Sequence, residues 1–210
     1  NIVIDLFPSN KLIKSIKNGG PTKIIPYYFD KVNSKNLIIC FSGFSPSDES
    51  VHFLNKRFKT YKNYDKLFIR DLHKTWYSTG IGDITKNVDE NLKFLKKITK
   101  KYDNIITIGK SSGGYASLLY GNLLNAKKVL AFSPQVFIDR KIIVENGDSR
   151  WINNNPFYKN INQNSKYLNL NNINLNSDTN IYVGYNDLSD LNAVKFLKKN
   201  SNITINKIIR

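Results

Sequence analysis

Short runs of β-branched and aromatic residues alternate along this chain with stretches of helical periodicity, and that alternation constrains the fold more than any other feature. The central runs are continuous in Val, Ile, Leu and Phe, which is typical of strands covered on both faces. Such strands, separated by helices, indicate a mostly parallel sheet flanked by helices, an α/β fold. The predicted strands are residues 23–29, 36–41, 66–71, 104–109, 128–133, 180–185 and 203–209.

Two segments between these strands have the pattern of amphipathic helices. Residues 88–102 place apolar side chains on one face, with an acidic start and a lysine-rich end that suit the helix dipole. Residues 190–199 repeat the pattern, and Asp190 is the predicted N-cap.

The segment 139–179 interrupts this rhythm, because it is rich in Asn and has little periodicity. Long insertions inside a compact domain are usually functional lids or disordered loops, and Asn-rich low complexity is the simpler alternative. The 210 residues otherwise suit a single α/β domain, 1–210, in which 139–179 is the expected lid.

Charge and cysteine content narrow the classes of protein. The formal charge of +16 comes from lysines spread over the whole chain, so we do not expect nucleic acid as a partner. The single cysteine, Cys40, lies in an apolar run and is predicted to be core, which agrees with a reducing, cytoplasmic location. No run is long enough to span a bilayer, and no metal or cofactor motif is found.

The stretch 104–122, NIITIGKSSGGYASLLYGN, carries the strongest chemical signal. Its GKSSG fits G-x-S-x-G around Ser111, with a predicted strand before it and a helical pattern after it, as a nucleophile elbow requires. A phosphate-binding loop is not matched, because the lysine precedes the serine. The alternative is a tight turn in which Ser111 is incidental.

Four phrases in order, FSGF, RDLHKTWYSTGIG, IGKSSGGYASLLYG and AFSPQVFID, resemble the α/β-hydrolase superfamily from about residue 23 onward. They are similar to a bacterial branch associated with surface-polysaccharide and glycan modification. The resemblance implies a Ser111 nucleophile that forms an acyl-enzyme. It also implies an oxyanion hole from the N–H groups of Ser112 and of the Gly43–Phe44 loop, which could otherwise be an ordinary βα turn.

The resemblance further implies an acid after a late strand and a histidine after the last one. Asp187 is the predicted acid, with Asp190 as the fallback. The sequence contains only His52 and His73, and neither follows the last strand. We therefore expect one of three arrangements: a base beyond residue 210, no working triad, or His73 as a substitute base.

The expected activity is that of an esterase, a thioesterase or an O-acyltransferase acting on a small-molecule or glycan ester. The alternative is a non-catalytic binding module that keeps the hydrolase fold without its histidine. Four aromatic residues are candidates for contact with a sugar or an acyl chain, with a core position as the alternative for each: Trp76, Tyr77, Trp151 and Tyr158.

Overall fold

The computed structural model describes residues 26–44, 58, 60–148 and 150–209, and within that part of the chain seven strands form one sheet. The strands are β1 (Tyr27–Asp30), β2 (Asn36–Phe41), β3 (Asp65–Ile69), β4 (Asn104–Lys110), β5 (Lys128–Phe132), β6 (Asp178–Gly184) and β7 (Ile203–Ile208). Their order across the sheet is β1-β3-β2-β4-β5-β6-β7. β1 is antiparallel to β3, and all other neighbours are parallel.

All seven predicted strands are present, so the α/β prediction is confirmed. The first predicted run starts at residues 23–25, which lie outside the described part of the chain. β6 starts two residues earlier than predicted, because Asp178 pairs with Lys128 of β5 and Thr179 donates its N–H to the carbonyl of Asn202 at 2.8 Å. Pairing with neighbouring strands therefore decides this boundary.

The α-helices of the described residues are α1 (Val88–Thr99), α2 (Ser112–Leu123), α3 (Arg140–Glu145), α4 (Arg150–Asn154) and α5 (Leu188–Lys195). The prediction that Asp190 caps the last of these is wrong, since the Asp187 carboxylate accepts the Asp190 N–H at 3.1 Å. The helix also ends earlier than residue 199. The Asn171 side chain binds the Phe196 carbonyl at 2.9 Å and the Lys198 N–H at 2.8 Å, which diverts the backbone.

The two faces of β2 bury alternate residues in two separate clusters. Leu37, Ile39 and Phe41 belong to the main core, together with side chains of α1 and α2. Ile38 and Cys40 belong to a smaller cluster on the opposite face. Cys40 is fully buried, as predicted, and burial raises the pKa of its thiol well above the usual range.

Residues 139–179 are more ordered than their sequence indicates. Their asparagines close short turns: Asn155, Asn162 and Asn169 each accept the backbone N–H two residues later at 2.9–3.0 Å. Between these turns, apolar side chains enter the main core, among them Tyr158, Ile161, Tyr167, Leu168, Leu170 and Leu175. The segment is therefore part of the packed core, and its function as a lid stays a prediction.

Candidate active site

Ser111 lies in the one-residue turn between β4 and α2, and its backbone has an unusual conformation. Its φ of +55° and ψ of −123° fall in a region that residues with a side chain rarely adopt. Neighbours hold the turn, because the Ser111 N–H donates to the Phe132 carbonyl at 2.8 Å and the Ser111 carbonyl accepts the Tyr115 N–H at 3.0 Å. Such strain persists only where the surrounding structure enforces it.

The two glycines of the G-x-S-x-G pattern are required by close backbone contacts. A Cβ on Gly109 would lie 2.0 Å from the Gly113 carbonyl oxygen, and a Cβ on Gly113 would lie 2.2 Å from the Phe41 carbonyl oxygen. The start of α2 thus packs directly on β4 and on the end of β2. This contact explains why the turn at Ser111 can be so sharp.

The loop after β2 lies next to this turn. A Cβ on Gly43 would be 3.0 Å from the Lys110 carbonyl oxygen and 3.8 Å from the Ser111 Cβ. Phe44 is half-buried, with its ring against Trp76 at 4.6 Å between centroids. The structure therefore brings Gly43 and Ser111 together, as the sequence predicted.

Ser112 is the first residue of α2, where the helix leaves backbone N–H groups without intrahelical partners. Its side chain is fully buried, and the hydroxyl has no hydrogen-bond partner among the described residues. The N–H groups at this end of α2, beside Gly43, form a place where negative charge is favoured.

Asp187 follows β6 and is half-buried. One carboxylate oxygen caps α5, and no described residue hydrogen-bonds to the other. β4 and β6 are both neighbours of β5, so their carboxyl ends are two strand spacings apart, about 10 Å. Ser111 and Asp187 therefore follow strands that have one strand, β5, between them.

Asp190 has a different environment from Asp187. It is buried, and its carboxylate lies 3.4 Å from the Arg150 guanidinium, which also binds Asp148 at 2.7 Å and 2.8 Å. Burial and the nearby Asp187 charge raise the pKa of Asp190, although hydrogen bonds from Ser133 and Arg150 act against them. Asp190 therefore has structural partners that explain its position without chemistry.

The structure separates His73 from the acid. His73 follows β3, and its Nδ1 lies 3.2 Å from the Thr79 hydroxyl. β3 is four strand spacings from β6, about 19 Å at the sheet edge, so His73 is poorly placed to pair with Asp187. His52 lies outside the described residues.

The aromatic residues proposed for ligand contact are mostly core. Trp76 and Tyr77 are 0% exposed and Tyr158 is 5% exposed, so none of the three offers a surface to a sugar. Sequence reasoning also missed Asp71, a buried carboxyl in the turn that carries Trp76 and Tyr77. The only sequence signal for Asp71 is its place in RDLHKTWYSTGIG, one of the four phrases that resemble the α/β-hydrolase superfamily.

Neither a metal-binding cluster nor a membrane-spanning helix occurs among the described residues. No group of three or more His, Cys, Asp and Glu side chains is arranged to hold a metal ion there. Within the same ranges, every helix is too short or too polar to cross a bilayer.

The sequence matches no protein-family model and no curated protein. Solved structures match closely in fold. A variant of the capsule O-acetyltransferase of Neisseria meningitidis serogroup A in complex with CoA is 22% identical, with 90% of this chain and 84% of that chain covered and a TM-score of 0.60. Est1E from Butyrivibrio proteoclasticus is 16% identical, with 87% and 83% covered and a TM-score of 0.57. MenH from S. aureus is 16% identical, with 88% and 90% covered and a TM-score of 0.53.

These similarities establish that the chain has the α/β-hydrolase fold. In the observed topology, Ser111, the Gly43 loop and Asp187 follow three parallel strands at the same edge of the sheet.

Proposed function

We propose that this chain is a serine hydrolase or acyltransferase that forms an acyl-enzyme on Ser111. The observation that carries the proposal is the strained φ and ψ of Ser111 at a strand-to-helix turn, where side chains of this size are rarely found. If the serine side chain had no function, a glycine would adopt this conformation at lower energetic cost. A serine at this position therefore favours a function for its hydroxyl.

The chemistry follows from the residue types. The Ser111 hydroxyl oxygen attacks the carbonyl carbon of an ester or thioester while a general base takes its proton. The leaving alkoxide or thiolate then receives that proton as the old bond breaks. Water or a sugar hydroxyl attacks the acyl-enzyme in the second half, which gives hydrolysis or acyl transfer.

The negative oxygen of each tetrahedral intermediate needs hydrogen-bond donors. We assign these to the N–H groups of Ser112 and of Gly43 or Phe44, beside Ser111. Each such donor contributes about 3 kcal/mol of transition-state stabilisation in enzymes of this kind.

Asp187 is the proposed acid that orients the base. Its loop adjoins the end of β7, because the Tyr185 N–H donates to the Ile208 carbonyl at 2.8 Å. A histidine that follows β7 would therefore lie beside Asp187. A second candidate is a binding module that keeps the fold without turnover, because His73, the histidine that the structure describes, follows a strand four positions from β6 in the sheet.

The substrate class we propose is an acyl ester or thioester of a small molecule or a glycan. One structural neighbour is named as a capsule O-acetyltransferase in complex with CoA, which supports an acyl thioester donor. We infer ester-type chemistry for this chain from the serine turn within an α/β-hydrolase fold.

A fluorophosphonate probe separates the two candidates. We expect the full-length protein to be labelled on Ser111, to lose labelling in Ser111→Ala, and to keep it in Ser165→Ala, a serine that caps a distant turn. Absence of labelling in the folded wild-type protein would contradict the enzyme and support the binding module.

A further inference from the structure

The turn after β3 contains a buried carboxyl with an incomplete set of partners. One oxygen of Asp71 accepts the Tyr77 N–H at 3.1 Å, and the other has no hydrogen-bond partner among the described residues. Burial raises the pKa of Asp71 to about 7, although the backbone N–H groups of residues 74–77 favour its charged form. Buried polar groups are rarely left this way without a functional reason.

The same turn is strained at three positions. Lys74, Trp76 and Tyr77 have φ values of +52°, +54° and +59°, in the left-handed region that favours glycine. None of the three is a glycine, so their surroundings must hold the conformation. The Asp71 carboxyl accepts the N–H of Tyr77, the last of these three residues, and so ties the strained turn to a buried charge.

Tyr77 connects the turn to the start of the proposed oxyanion loop. Its hydroxyl lies 2.9 Å from the Ser42 carbonyl and 3.0 Å from the Ile69 carbonyl, and its proton is shared between them. The Ser42 N–H also donates to the Ile69 carbonyl at 3.0 Å. Tyr77 therefore fixes the end of β2 against the end of β3, one residue before Gly43.

Trp76 makes the second connection. Its ring packs edge-on against Phe44, with 4.6 Å between centroids. Its indole N–H donates to the Gln135 side-chain oxygen at 3.0 Å, in the segment that follows β5. Movement of this turn would therefore displace Ser42 and Phe44, the two residues on either side of Gly43 in the proposed oxyanion loop.

We propose that Asp71 is a positioning residue for acyl transfer, which through Tyr77 and Trp76 holds the Gly43–Phe44 loop beside Ser111. The inference rests on the proposed function of Ser111, and it adds a residue that never touches the substrate. Misplacement of a catalytic group by about 1 Å can cost about 100-fold in rate, so a support of this kind has a measurable effect.

The test uses Asp71→Asn and Tyr77→Phe in the full-length protein, because both keep the shape of the side chain. Asp65→Asn and Tyr102→Phe are matched controls, since Asp65 and Tyr102 form a buried pair at the other end of β3, with 2.6 Å between the hydroxyl and the carboxylate. Three quantities are measured: the rate of fluorophosphonate labelling, kcat and KM for p-nitrophenyl acetate, and hydrogen exchange of residues 36–44.

We expect Asp71→Asn and Tyr77→Phe to lower the labelling rate and kcat by about 10- to 100-fold with KM changed less than about threefold. We also expect faster exchange at residues 41–44. The control variants should keep kcat within about threefold, even where their melting temperature falls. A loss of melting temperature in Asp71→Asn with unchanged exchange at residues 41–44 would overturn the proposal.

Trp76 gives a readout that does not depend on activity. In a Trp151→Phe background it is the one remaining tryptophan, and it is fully buried. Its emission should shift to the red in Asp71→Asn and stay unchanged in Asp65→Asn. If the fluorophosphonate probe did not label the wild-type protein, the proposed function would be contradicted. Hydrogen exchange of residues 41–44 and the Trp76 emission would still decide whether Asp71 holds the Gly43–Phe44 loop.

Discussion

The two ends of β3 carry similar residues in opposite situations. At the amino end, the Asp65 carboxylate accepts hydrogen bonds from the Val32 N–H at 2.8 Å, the Ser34 N–H at 3.0 Å and the Tyr102 hydroxyl at 2.6 Å. Burial alone would raise the pKa of Asp65, but these hydrogen bonds and Lys101 lower it. Asp65 is therefore a satisfied structural charge.

Asp71, just beyond the carboxyl end, is also buried, but one of its oxygens has no hydrogen-bond partner among the described residues, and its pKa is raised to about 7. Seven non-glycine residues in the described ranges have a positive φ, and five of them follow the carboxyl ends of parallel strands: Lys74, Trp76, Tyr77, Ser111 and Ser133. The other two, Asn33 and Asn125, lie at the amino edge. Perturbed carboxyls and strained backbone are typical of functional sites. From this contrast, together with the proposed function, we infer that the amino edge serves stability and the carboxyl edge serves chemistry.

The largest expected effect is on the proposed acid at the carboxyl edge. Asp187→Asn should lower kcat/KM by about a thousand-fold, because an amide cannot stabilise the imidazolium that forms beside it. Asp190→Asn, three residues away, should cost less than about tenfold, since its partners are Arg150 and Ser133. Ester hydrolysis measures both. A larger loss in Asp190→Asn would exchange the roles of the two residues.

Gly113→Ala should follow, with a loss of about 3 kcal/mol in the free energy of unfolding. The added methyl would lie 2.2 Å from the Phe41 carbonyl oxygen, so the backbone of α2 or β2 must move. Urea unfolding measures this loss. The control is Gly147→Ala, where no described residue beyond the two chain neighbours lies within 4 Å of the added methyl, and where the positive φ of +68° opposes the change, at about 1 kcal/mol. Equal losses in the two variants would contradict the close packing at Ser111.

At the amino edge, Asp65→Asn should reduce the free energy of unfolding at pH 7 by about 2 kcal/mol, because charged acceptors of buried hydrogen bonds are replaced by a neutral amide. Ester hydrolysis should stay within about threefold of the wild type after correction for the folded fraction. A loss of activity in the folded variant would break the division between the two edges.

The two aspartates should give opposite dependences of stability on pH. The folded pKa of Asp71 is above its usual value, so between about pH 4 and pH 7 the folded state binds more protons, and its stability falls as pH rises. Asp65 has a lowered pKa, so its contribution is present above about pH 4 and is lost as pH falls further.

Urea unfolding from pH 3 to pH 8 measures both dependences. The stability of the wild type relative to Asp71→Asn should decrease with pH between about 4 and 7, by at most ~1.4 kcal/mol per pH unit. Relative to Asp65→Asn it should increase with pH below about 4. Slopes of the same sign in the two variants would contradict the contrast between them.

The smallest effect should come from an exposed ion pair at the amino edge. Lys128 and Asp178 lie 3.2 Å apart on neighbouring strands, with side chains 43% and 59% exposed. Asp178→Asn should therefore change the free energy of unfolding by about 0.5 kcal/mol or less. Thermal unfolding at low and high salt measures this change in the free energy of unfolding. If Asp178→Asn lost as much stability as Asp65→Asn, the difference in burial would not explain the difference between the two carboxylates.

The local parts of this structure could be predicted because their signals are adjacent in sequence. The run at 36–41 is the strand β2 with the predicted bounds, and the glycines around Ser111 marked a turn that the structure contains. The proximity of Gly43 to Ser111 followed from parallel strands that end at one edge. Asp187 follows a strand as expected, and its role in chemistry stays a prediction.

Other parts depended on contacts that no local pattern contains. α5 starts at Leu188 because the carboxylate of Asp187, and not that of Asp190, caps the helix. The end of α5 depends on a hydrogen bond from Asn171, which lies 25 residues before Phe196 in the sequence. The apolar residues from Tyr158 to Leu175 have no helical or strand period, because short Asn-closed turns carry them into the core one at a time.

By itself, the sequence determined the seven strands, their mostly parallel arrangement and the serine turn, since hydrophobic period and glycine placement act over a few residues. Only the tertiary structure decided the raised pKa of Asp71 and the hydrogen bond from the Tyr77 hydroxyl to the Ser42 carbonyl. The hydroxyl and the carbonyl of that hydrogen bond are 35 residues apart, and the pKa of a carboxyl depends on how deeply the fold buries it and on which N–H groups surround it.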